Sequence, residues 1–189
     1  MRSWDEAVLL FINGLNTPFL DTFFYVVTGE FYWTAGIIGV ILLVIKYQKP
    51  QYRLMNILGI ALTFGVNDLI SLYAFKKVFF RLRPLNSPDI RELLHIVDPH
   101  ESNYSFLSAH SSNSMAIVVM AILLLPTSKP AWIVPTVLGW AFMTSISRIY
   151  LGMHYPVDVL TGWGLGTIVA FGMKELYDQY TPSIYKKMY

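Results

Sequence analysis

The sequence predicts an all-α protein: an integral membrane helical bundle with about five transmembrane helices and an N-terminal interfacial helical segment. Three observations carry this. Of 189 residues, 54% are hydrophobic and only 14% are charged, against about 25% charged in soluble domains. The mean hydropathy is +0.48. The apolar residues gather in stretches close to the roughly 20 residues that a crossing helix needs, and the charges gather between them.

The length suits a single domain, 1–189. There are no cysteines, so disulfide frames and thiolate chemistry are excluded and redox compartment cannot be read. A net charge of +2 is too small to imply a nucleic-acid partner. The opening MRSWDEAVLL places two acids before a short apolar run, which is a poor signal peptide. No repeat or low-complexity tract is visible.

Residues 1–30 contain WDEAVLLFINGL and PFLDTFFYVVTG, apolar but short and interrupted by Asn-Gly and Asn-Thr-Pro. They read as two helices lying in the membrane interface; the alternative is one longer span beginning near Pro18. Five spans follow, at about 31–47, 54–78, 108–126, 130–150 and 156–178. Pro130 and Pro156 fit the first turn of the last two, where the N–H has no helical partner.

Five crossings bring the end of the second span, the start of the third, the end of the fourth and the start of the fifth to one face. The polar residues of 76–110 and 147–158 therefore meet there. The opposite face carries Lys46, Lys49, Arg53, Lys129, Lys174, Lys186 and Lys187; the polar face carries Arg2, Lys76, Lys77, Arg81, Arg83, Arg91 and Arg148. The two sets are equal in size. Setting aside Lys76, Arg83 and Arg148 as held by function leaves the polar face poorer in cations, and the positive-inside rule turns it away from the cytoplasm. YKKMY at the C-terminus reads as a basic cytoplasmic anchor.

Ionisable residues in or beside a span are costly and suggest function. Lys76 and Arg83 in KKVFFRLRP are seven apart, so a helix would place them on one face, suited to an anion. The alternative is snorkelling to headgroups, the reading preferred for Lys77 and Arg81. In SFLSAHSSNS, Ser108 stands at a helix N-cap with His110 in the first turn. The Ser108 hydroxyl and the N–H groups of Ala109 and His110 suit a phosphate, although plain capping explains Ser108 equally well. In SRIYLGMHYPVD, Arg148 comes late in the fourth span, and His154 and Asp158 are four apart. A carboxylate on one ring nitrogen raises the basicity of the other, as a nucleophile or base requires; the alternative is a structural pair closing a loop. Together these groups suit a phosphate ester, with cations to offset charge, one histidine to attack and one to protonate the leaving oxygen. Which histidine attacks is left open by the residues alone. No metal is expected, because the nearby cations would repel zinc from His110 and His154. His95 and His100 show no ligand spacing and read as surface. Asp68, inside the second span, is expected to pair within the bundle, for function or for structure alone.

Lys76-x6-Arg83-Pro84, Ser108-Ala-His110 and Ser147-Arg148-x5-His154-x3-Asp158 resemble the three-part signature of the type 2 phosphatidic acid phosphatase superfamily. The five-span plan is similar to its small bacterial members. Leu107 and Ala109 depart from the family's usual Pro-Ser-Gly-His; the methyl of Ala109 is harmless only if its φ is negative. The resemblance implies an integral membrane lipid phosphatase with no cofactor. In it His154 would be the nucleophile, forming a phospho-histidine, with Asp158 orienting it and His110 as general acid. Lys76, Arg83, Ser108, Ala109 and Arg148 would bind phosphoryl oxygens. The expected substrate is a lipid phosphate or diphosphate reached from the bilayer, with undecaprenyl diphosphate favoured. Phosphatidylglycerophosphate, phosphatidic acid and lipid A phosphates are the alternatives. The expected place is the cytoplasmic (inner) membrane, with the site facing outward and no nucleic-acid partner. A vanadate haloperoxidase and a non-catalytic protein binding anionic lipid are the rivals of other classes.

Overall fold

The computed structural model describes residues 3–98 and 104–181. His100 and the YKKMY segment lie outside the described residues. Helices α1 (Trp4–Asn13), α2 (Pro18–Thr28), α3 (Glu30–Tyr47) and α4 (Pro50–Ile70) follow one another closely. A π-helical turn, Ser71–Lys76, extends α4. After the short α5 (Pro88–Arg91) come α6 (Ala109–Leu124), α7 (Ile133–Tyr150) and α8 (Pro156–Tyr180). The described residues contain no strand, only an isolated bridge between Leu82 and Tyr104.

The bundle is inside-out by soluble standards. Phe31, Ile38, Leu42, Leu54, Leu62, Ile168 and Phe171 are exposed on its flanks, which water would penalise and lipid does not. Asn67, Ser112 and Asn113 are buried instead. Asn67 donates to Asn113 at 2.5 Å, and Ser112 donates to Asn67 at 3.0 Å. The apolar core lies between α3, α4, α6, α7 and α8, around Val44, Ile60, Val118, Met120, Ile133 and Ala170.

Three helices are long and apolar enough to cross a membrane unaided: Glu30–Tyr47, Pro50–Lys76 and Pro156–Tyr180. Helix α6 has 16 residues, about 24 Å at 1.5 Å per residue, with polar groups in its first turns. Helix α7 starts at Ile133, so Pro130 is not in its first turn; it precedes the helix and accepts from Ile133 N at 3.1 Å. Pro156 does occupy the first turn of α8. Helices α1 and α2 are separate, bent by 113°, with Ser3 and Thr17 capping them.

Two glycines set the approach of α8 to α6. A methyl on Gly162 would lie 2.9 Å from the Ser108 carbonyl oxygen, and one on Gly166 would lie 2.3 Å from that of Ser112. Small residues four apart let helix backbones touch in a membrane. The contact seats the first turn of α6 beside the first turn of α8.

Candidate active site

The site is assembled where α4 ends, α6 and α8 begin and α7 stops. Helix α7 closes with Gly152 at φ +68°, a left-handed position that glycine takes without cost. The Arg148 carbonyl then accepts from both Met153 N (3.0 Å) and His154 N (3.1 Å). This fixes the backbone of His154 outside the helices, directly before α8. Tyr155 is the N-cap, and Asp158 at the third helical position accepts from Tyr155 N at 2.9 Å.

His154 is 2% exposed and Asp158 fully buried, with Nδ1 of the imidazole 3.6 Å from Oδ2 of the carboxylate. That is ion-pair range, slightly beyond a hydrogen bond. Nδ1 has no hydrogen-bond partner among the described residues. The ring atom left facing away from Asp158 is Nε2. Burial holds the imidazole down to about 3, against the pull of Asp158, and the Arg83 and Arg148 charges add to the depression.

Ser108 caps α6. Its Oγ accepts from the N–H of Ser111 at 3.5 Å and from the Ser111 hydroxyl at 2.9 Å, which leaves the Ser108 hydroxyl proton free to donate. Ala109 and His110, the first two helical residues, have N–H groups with no acceptor inside the helix. The Ser108 N–H donates to the Asp158 carbonyl at 3.2 Å, tying the two helix starts together. His110 packs against Trp33, ring centres 5.5 Å apart. The charges of Arg148, Lys76 and Arg83, and His154 itself, all act on His110.

The chain does not place Lys76 and Arg83 on one helical face. Helix ends at Lys76, and residues 79–83 are irregular or bridged; Ser105 N and Leu82 tie that segment to the stretch before α6. The two cations converge because the chain folds back, not because of helical period. Arg83 is buried and donates from Nε to the Tyr104 carbonyl at 3.3 Å. Arg148 is buried, donates to Thr28 Oγ1 from Nη1, and its Nε has no partner among the described residues.

Asp68 accepts from Asn113 Nδ2 at 2.9 Å, one turn along α6 from His110, and its charge reaches Lys76. Lys77 stacks over Tyr73, 4.1 Å from the ring centre, and points out of the site. Arg81 does not snorkel. It donates to Asp158 Oδ1 at 3.0 Å and to Asp5 Oδ2 at 2.5 Å, and lies 3.7 Å over the Tyr155 ring. The sequence assigned Arg81 to the headgroups and gave Asp5 no role; the one available signal was an acid at the head of an apolar helix. His95 is half-exposed but not idle: it bonds Asp21 at 2.9 Å. A cavity of about 570 Å³ opens at the other end of the bundle, beside Lys49, Asn56, Pro126 and Lys174, and none of the candidate site residues lines it.

Comparison with known proteins agrees with this architecture. Residues 53–181 match the family model of the PAP2 superfamily. A lipid A 4'-phosphatase of Bacteroides thetaiotaomicron is 31% identical over 164 residues, 86% of this chain and 72% of the relative. A phosphatidylglycerophosphatase B of Bacillus subtilis is 31% identical, covering 92% of this chain and 83% of the relative. The undecaprenyl-diphosphatase BcrC of Bacillus subtilis is 31% identical over 64% of this chain and 58% of its own length. The crystal structure of Aquifex aeolicus LpxE superposes with a TM-score of 0.68 at 20% identity, over 89% of this chain and 93% of that one. The chain belongs to the PAP2 superfamily. It is an integral membrane phosphatase of the kind that acts on lipid phosphates.

Proposed function

We propose that the protein hydrolyses a lipid phosphate through a phospho-histidine at His154. The observation that carries this is the meeting of a buried imidazole backed by Asp158 with the buried Arg148, whose Nε has no partner among the described residues. Nε2 of His154 attacks phosphorus, with Asp158 stabilising the imidazolium that forms. Arg83, Lys76, Arg148, the Ser108 hydroxyl and the N–H groups of Ala109 and His110 hold the phosphoryl oxygens, where charge spreads in the transition state. His110, across the site, gives its proton to the leaving oxygen and then takes one from the water that frees His154. No resident metal takes part in this scheme.

The substrate reading moves from the sequence expectation. Undecaprenyl diphosphate has no particular support over lipid A, because two relatives named lipid A 4'-phosphatase match at 31% and 27% identity over 86% and 92% of this chain. We therefore place a lipid A phosphate first and a polyprenyl diphosphate second. The lipid enters sideways between the exposed apolar flanks, in an inner membrane, with the site at the outer face; the larger number of cations on the opposite face, once Lys76, Arg83 and Arg148 are set aside, supports that orientation.

Purified protein in detergent, given lipid A, undecaprenyl diphosphate and phosphatidylglycerophosphate separately, should release phosphate fastest from lipid A. His154→Ala should lose several orders of magnitude in turnover, as deleted nucleophiles do. Retained turnover in His154→Ala would overturn the mechanism. Lipid binding with no phosphate released from any of the three would favour the non-catalytic rival.

A further inference from the structure

We propose that Arg81 is a positioning residue that clamps the Asp158 carboxylate and docks helix α1, through Asp5, onto the start of α8. This inference rests on the reading of His154 and Asp158 as the reacting pair.

The geometry is a closed set of contacts. Arg81 spends Nη1 on Asp158 Oδ1 and Nη2 on Asp5 Oδ2. Asp5 uses its other oxygen, Oδ1, to accept from Val157 N at 2.9 Å, satisfying an orphan N–H in the first turn of α8. The guanidinium plane lies over Tyr155, the residue between His154 and α8. Each oxygen of Asp158 is thereby committed: Oδ1 to Arg81, Oδ2 to Tyr155 N and the His154 side. A carboxylate held at both ends cannot swing, so the imidazole beside it keeps one orientation.

Two features distinguish this from an incidental surface pair. Asp5 and Asp158 are both buried, and unpairing a buried charge is far costlier than losing an exposed one. The contacts also join three distant parts of the chain, α1, the segment after α4, and α8. Leu9 of α1 packs in the same cluster as Tyr155, Val159 and Ile149, so the apolar face of α1 and the ionic contact close together. The amphipathic N-terminal helix is thus attached directly to the catalytic dyad.

The charges around the dyad give the test its sign. His154 faces Asp158 from α8, Arg83 from the segment after α4, Arg148 from α7 and His110 from α6. Asp158 faces His154, Arg81, Arg83 and Tyr155. Removing the Arg81 charge leaves Asp158 to act on His154 and Arg83, which favours the imidazolium. Arg81→Gln should therefore move the acid limb of the pH–rate profile to higher pH and lower kcat by up to about a hundredfold, the scale of a small misplacement of a reacting group. Arg81→Lys keeps the charge without the fork and should leave the acid limb near its wild-type position while restoring part of kcat. Asp5→Asn should lower kcat less than Arg81→Gln and should not raise the acid limb. These profiles are read on phosphate release from lipid A in mixed micelles, beside His154→Ala. An Arg81→Gln acid limb at the wild-type position, or Arg81→Lys as shifted as Arg81→Gln, would overturn the clamp. If that happens while His154→Ala is inactive, only the clamp fails; turnover in His154→Ala would instead sink the reading beneath it.

Discussion

Ala109 stands where relatives of this pattern carry glycine, and the backbone explains why a methyl fits. No residue but glycine has a positive φ among those described, so Ala109 sits in ordinary helical space as the first residue of α6. Gly152 is the opposite case. Its φ is +68°, and a Cβ placed there would stand 3.2 Å from a Leu94 methyl, which leaves little room for a side chain. Gly152→Ala should cost roughly 1–2 kcal/mol from the left-handed backbone and displace His154 two residues on, lowering turnover more than thermal stability. The protonation of His154 makes a further prediction. A base held near 3, below its ordinary 6.5, stays neutral as pH falls and gains its proton only near 3. Single-turnover phosphoryl transfer should therefore not be lost through His154 between about pH 7 and pH 5. A loss centred near 6.5 would mean that burial does not keep the proton off His154.

At the scale of elements, the decisive contact is α8 on α6. Gly166 faces the Ser112 carbonyl and Ala116 N–H so closely that a Cβ would fall 2.3 and 2.9 Å from them. Both are backbone atoms and cannot turn aside, so the helices must part. Gly166→Ala should destabilise by about 1–3 kcal/mol, the usual cost of overpacking, seen as a lower unfolding midpoint in detergent. Gly164→Ala, whose methyl meets nothing within 4 Å, is the control and should leave the midpoint unchanged or raise it. Separation of α6 from α8 also parts Ser108 from Asp158, so the Gly166 variant should lose turnover with stability.

Across the whole molecule, buried polarity and exposed hydrophobicity are two sides of one solvent choice. Lipid accepts the flanks of α3, α4 and α8, and the interior keeps its hydrogen bonds among Asn67, Ser112, Asn113 and Asp68. In the proposed mechanism the cations Lys76, Arg83 and Arg148 supply the charge a phosphoryl group needs. EDTA should accordingly leave turnover intact, measured as phosphate release before and after dialysis; complete loss restored by zinc would overturn the metal-free scheme.

Much was legible in the chain itself. Hydropathy fixed the helical membrane class, and local spacing fixed what is local: Ser108 capping α6, Pro156 opening α8, His154 and Asp158 one turn apart. Caps and first-turn prolines are set by the residues beside them, so sequence suffices for these, while His154 is held outside α8 by the Arg148 carbonyl. Only tertiary structure decided the rest. Lys76 and Arg83 meet through a fold-back that no periodicity encodes, and α7 begins three residues past Pro130. The partners of Arg148 and Arg81, Thr28 and Asp5, come from helices more than 70 residues away. Long side chains of one charge look alike in sequence, whether they reach headgroups or a buried carboxylate. Which they reach depends on where the remote chain is packed, and packing is a property of the whole fold.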